Sequence, residues 1–155
     1  MNLQEQKLQT LKQQLMQSQH QLVISECSQL IRDDANEKSP LEAQIKKEVL
    51  YVMAVAYRLL AKPDSAIEIL DSLISQFPDY ARGYQELGYC YLQRDKAKAA
   101  HGFYQATRFN PALLSAWRQL EAIYKEEDQQ QALTLCQQQI EFLLSLPKPI
   151  LDRKS

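Results

Sequence analysis

The chain has 155 residues, 45% of them hydrophobic and 24% charged, which is the size and balance of one soluble domain with a sizeable core. Its 18 Lys and Arg against 19 Asp and Glu leave a net charge of -1, so no overall positive field attracts nucleic acid or anionic lipid. Only 3 Gly and 6 Pro argue against strand-to-strand turns, and the single, scattered Cys27, Cys90 and Cys136 have neither zinc-site nor redox-motif spacing and read as reduced thiols.

The Gln-rich first thirty residues contain no long apolar run, which excludes a secretory h-region; the longest apolar stretch, Val49 to Tyr57, is about half a membrane span. A cytoplasmic location is expected. Leu8, Leu11 and Leu15 share one helical face and predict a helix over 3–17, and Val23, Cys27 and Leu30 predict a second over 19–33. After the polar break Asp33 to Lys38, the string Ser39, Pro40, Leu41, Glu42 reads as a capping box with proline just inside a long third helix, 40–61. Pro63 is placed at the first position of helix 63–77. Helices over 80–94, 96–109, 112–126 and 129–146 complete the set, with Asp95 and Asp128 where N-caps belong. Residues 147–155 are expected to be a loose tail.

The elements repeat. Tyr84, Leu87, Gly88 and Tyr91 are followed by Ala99, Phe103 and Pro111; Leu50, Met53, Ala54 and Tyr57 precede them at the same spacing, with Ala66, Leu70 and Pro78. Trp117, Leu120, Glu121, Tyr124, Ala132 and Cys136 follow. The intervals Leu50 to Tyr84 and Tyr84 to Trp117 are about 34 and 33 residues, against about 34 for the tetratricopeptide repeat, which this pattern resembles. The resemblance implies an all-α solenoid of about four antiparallel helix pairs in a short right-handed superhelix, as one domain: a degenerate pair over 1–38 and, within 39–146, three units at 47–80, 81–113 and 114–146. The small residue that lets paired helices approach is Ala54, then Gly88, then Glu121; the third unit must therefore splay its helices or reach the Glu121 carboxylate to water.

The resemblance also implies a concave groove lined by the first helix of each unit, with Tyr57, Tyr84, Leu87, Tyr91, Trp117, Leu120 and Tyr124 facing neighbouring helices. The residues that the packing pattern leaves over are Tyr51, Val55 and Arg58 in the first unit, Arg82, Gln85, Glu86 and Tyr89 in the second, and Arg118, Gln119, Ala122 and Lys125 in the third. Tyr51 and Tyr89 are the expected contact anchors, beside the positive charge of Arg58, Arg82, Arg118 and Lys125. Some members of the family grip a peptide's terminal carboxylate with Lys and Asn on successive first helices; Tyr51, Val55 and Glu86 occupy those positions here and disfavour such a clamp.

No nucleophile with a neighbouring base and no glycine-rich phosphate cradle can be read from the chain, His20 and His101 lie at polar positions and read as solvated, and Cys27 and Cys136 take the place of Leu70 and Phe103 as small buried hydrophobes. A non-enzymatic module that binds another protein or peptide, with no cofactor, metal, nucleic acid or membrane, is therefore expected. About the last 50 residues, from Asn110, Pro111, Ala112, Leu113 and Leu114 to Leu146 and Pro147, are also similar to the repeats that precede some bacterial sulfotransferase domains. That implies an accessory module of an enzyme; a self-assembly unit is the third possibility. The final helices need a cover: the tail through Ile150 and Leu151, a further element of a longer protein, or a second copy. The first two are favoured because Lys148, Asp152, Arg153 and Lys154 would crowd charge at a shared two-fold.

Overall fold

A computed structural model describes residues 2–147, and among them every regular element is an α-helix. The eight helices are α1 (Leu3–Met16), α2 (His20–Ala35), α3 (Ala43–Leu59), α4 (Pro63–Gln76), α5 (Ala81–Tyr91), α6 (Lys96–Phe109), α7 (Leu114–Glu126) and α8 (Gln130–Leu144). They fall into two compact units, Met1–Pro78 and Asp79–Ser155. The expected loose tail lies, from residue 148 onward, outside the described residues.

Helix starts are set by local chemistry. The Asn2 side chain accepts from the Glu5 amide at 2.8 Å to cap α1, Asp95 accepts from Lys98 at 3.1 Å to cap α6, and Pro63 opens α4 where its missing N–H costs nothing. Asp128, expected to cap α8, does not. Gln129 occupies the cap without a side-chain bond, while Asp128 lies at φ 56° and its Oδ1 accepts from Gln130 Nε2 at 2.9 Å.

Four connections turn through a left-handed residue that is not glycine: Ser18, Glu37, Ala61 and Asp128. Each closes a doubly hydrogen-bonded helix end. After α3, for example, the Ala61 amide donates to Arg58 O and the Lys62 amide to Tyr57 O, both at 2.9 Å, which satisfies carbonyls that the helix leaves open.

In the first unit α1 packs on both α2 and α3, α2 on α3, and α3 on α4. The core gathers Leu8, Leu11, Val23, Cys27, Ile45, Val49, Val52 and Met53. The expected capping box is absent, because α3 begins at Ala43 and residues 39–42 are non-helical. Tertiary partners take over instead: the Leu41 amide donates to Asp34 Oδ1 at 2.8 Å, the Glu42 amide to Gln4 Oε1 at 3.0 Å, and Gln4 Nε2 to Pro40 O at 3.0 Å.

In the second unit α5 packs on α6, α6 on α7 and α7 on α8 around Phe103, Ala106, Leu113, Ala116, Leu120, Ile123 and Cys136. Glycine sets the closest approach. A Cβ on Gly88 would lie 2.7 Å from Phe103 Cε1, and one on Gly102 would lie 2.8 Å from the Gly88 nitrogen, so α5 and α6 touch backbone to backbone. Glu121, at the equivalent place in α7, is half-exposed.

Candidate functional site

The faces expected to bind are the first helices α3, α5 and α7, and their residues divide by environment. In the first unit Val55 is buried, so it cannot serve as a groove contact, and Tyr51 packs against the unit's core. Arg58, in the last turn of α3, is half-exposed.

In the second unit Gln85 and Glu86 are buried, Glu86 to 2% exposure, which corrects their expected placement on a free surface. Gln85 instead joins two helices. Ser115 Oγ donates to Gln85 Oε1 at 2.8 Å, tying α5 to the first turn of α7. Tyr89 meets Phe103 edge to face, with ring centroids 5.2 Å apart and planes at 80°. Both tyrosines expected to act as free contact anchors are thus partly packing residues, because the apolar faces of α3 and α5 are wider than the repeat pattern alone.

What remains exposed is on α7. Arg118, Ala122 and Lys125 are exposed at i, i+4 and i+7 of one face, with Gln119 half-buried beside them. Arg82 on α5 is half-exposed. No described carboxylate makes an ion pair with Arg82, Arg118 or Lys125. The face can therefore offer guanidinium and ammonium donors to an anionic partner without first breaking a bridge to a described residue.

The pattern aromatics are half-buried. Tyr84 stacks on Phe109 with centroids 5.2 Å apart, and burial, then the charge of Asp79, raises its hydroxyl pKa above the usual 10.0. Tyr124 is raised first by burial and then by neighbours led by Cys136. The indole of Trp117 donates to Pro111 O at 2.8 Å.

All three cysteines are buried, as expected for Cys27 and Cys136. Burial, with Glu26 adding, pushes the Cys27 thiol up to about 12, and burial with Glu121 pushes Cys136 up to about 11. His101 is exposed; His20 is half-buried, and its Nδ1 has no hydrogen-bond partner, which corrects the solvated reading. Among the described residues no group of three or more His, Cys, Asp or Glu is arranged to hold a metal ion, and no helix is long and apolar enough to cross a membrane.

Two features escaped the sequence reading. One is a concavity of about 140 Å³ in the first unit, lined by Leu8, Leu30, Leu41, Ile45 and Val49 with Leu3 and Lys7 at its edge. The other is the outer side of α8, where Leu135 and Phe142 are exposed; their placement off the 133, 136, 140, 143 stripe was the available signal.

Residues 48–80 match the family model for the tetratricopeptide repeat. Among solved structures the crystal structure of MamA is similar, with a TM-score of 0.57 and 16% identity, covering 93% of this chain and 94% of that one; at that identity the likeness is one of fold. No curated protein matches the chain.

Proposed function

We propose that the chain, whose residues 48–80 match a tetratricopeptide repeat, is a non-enzymatic binding module whose first-helix face in the second unit takes an acidic, extended segment of another protein. The carrying observation is the exposed run Arg118, Ala122, Lys125 on α7, which has no internal carboxylate partner among the described residues. Ala122 leaves room between the two cations for a backbone to lie close, and the Gln85–Ser115 bond fixes the start of the helix that carries them. Recognition is of side-chain carboxylates along the segment and not of a chain terminus, since the positions used for a terminal clamp hold Tyr51, Val55 and Glu86.

A labelled poly-glutamate peptide is the test probe, with poly-lysine of the same length as its opposite. Poly-glutamate is expected to bind, to weaken as ionic strength rises, and to lose at least about ten-fold in affinity when Arg118 and Lys125 are both replaced by Glu. Equal binding of both peptides, or no response to the double substitution, would contradict the reading.

A further inference from the structure

Helix α8 has two apolar stripes. Leu133, Cys136, Ile140 and Leu143 are buried in the second unit. On the opposite side Gln131, Leu135, Gln138 and Phe142 follow one another at helical spacing, and Leu135 and Phe142 are 64% and 57% exposed. With Leu144, α8 holds more exposed large hydrophobic side chains than any other described helix. Both apolar side chains of the second stripe keep more than half of their surface open to solvent.

We propose that this outer face of α8 pairs with the same face of a second copy, the two helices antiparallel about a two-fold axis between Gln138 and Gln139. The register is self-complementary. Residues whose numbers are equally far from that midpoint oppose each other, so Leu135 of one copy meets Phe142 of the other, and the relation holds in reverse. Gln138 of each copy then lies beside the axis, and its amide offers the other's both a donor and an acceptor.

Charge favours this occupant over a foreign one. Among its fifteen residues α8 carries a single charged side chain, Glu141, which lies on the flank about a quarter turn from the stripe. A two-fold contact sets each charge against its like, so a nearly neutral face suits it. The axis passes between Gln138 and Gln139 and not through the C-terminal segment, whose charged residues are the sequence-based objection to a two-fold. One helix face per copy is smaller than the roughly 800 Å² per partner of a standard interface, so the dimer is weak and forms with concentration.

Sedimentation of the full chain between about 1 µM and about 1 mM is expected to show its mass rising from 18.0 kDa toward twice that value. Leu135→Lys or Phe142→Glu alone should abolish the rise with an unchanged circular dichroism melt, since both side chains are exposed in the monomer. The double variant, Leu135→Lys with Phe142→Glu, places opposite charges across the axis and should restore a dimer that salt dissolves. A wild-type chain that stays monomeric throughout, or a double variant that stays as monomeric as the singles, would overturn the proposal. So would a dimer seen only after Ile150→Ser and Leu151→Ser, for then the chain's own tail is the occupant.

Discussion

The ring of Phe103 lies where a side chain on Gly88 would have to be, with three ring carbons within 2.8 Å of the position of a Cβ. Phe103 is fully buried, so the contact fixes the separation of α5 and α6 and, through Tyr89 set edge-on against the same ring, the set of the α5 face.

Gly88→Ala should therefore destabilise the protein by about 1–3 kcal/mol despite the better helix propensity of alanine. Urea unfolding measures the change, and Phe103→Leu in the same chain should recover part of it. A neutral or stabilising Gly88→Ala would mean that the two helices separate without cost.

Ala61 sits at φ 58° at the end of α3, where a Cβ is strained. Ala61→Gly is expected to stabilise by about 0.5–1 kcal/mol after the added freedom of the unfolded chain is subtracted, and Ala61→Val to destabilise. Thermal midpoints of the pair, read against wild type, should move in opposite directions.

Alkaline titration should expose the buried thiols. Cys27 is raised from 9.0 to about 12 and Cys136 to about 11, so the folded state favours their protonated forms. That stability is complete below pH 9 and is lost as pH climbs toward 11 and 12, because the unfolded chain releases these protons first. Cys27→Ala should flatten the alkaline fall in unfolding free energy, and a thiol reagent at about pH 8 should label native Cys27 and Cys136 slowly and unfolded chains quickly.

Asp34 behaves in the opposite sense. The Leu41 amide, followed by the Lys46 ammonium at 3.1 Å, holds its carboxyl below 3.8, so its contribution is present above that pH and lost as the solution is acidified. Asp34→Ala is expected to speed amide exchange at Leu41 relative to wild type at neutral pH. Equal rates in both proteins would show that the bond does not hold the segment.

Element existence was legible in the sequence because each helix carries its own apolar stripe, as Leu8, Leu11 and Leu15 do in α1. Residues 39–42 were not, since the partners that decide them are distant in sequence: Ser39 and Glu42 have the types of a capping box, but Asp34 and Gln4 claim the amides that decide the conformation. The candidate site was half legible. Arg118, Ala122 and Lys125 are exposed, as their helical phase suggests, whereas Gln85 and Val55, at the repeat positions of Arg118 and Ala122, are buried. Phase tells which way a side chain leaves its helix, and only the tertiary neighbours tell what stands there.

The bonds that pin residues 40–42 bear on how such a chain can be shortened. Repeat proteins usually gain and lose units one at a time, because each unit contacts only its neighbours. Here Gln4 of α1 serves both Pro40 and Glu42, and Lys12 of α1 pairs with Glu48 of α3 at 3.0 Å, so the entrance to the third helix is built partly from the first. Loss of α1 and α2 would strip α3 of its start as well as its neighbour. The three helices form one structural block, and a chain cut before α3 is expected to lose stability in α3 itself.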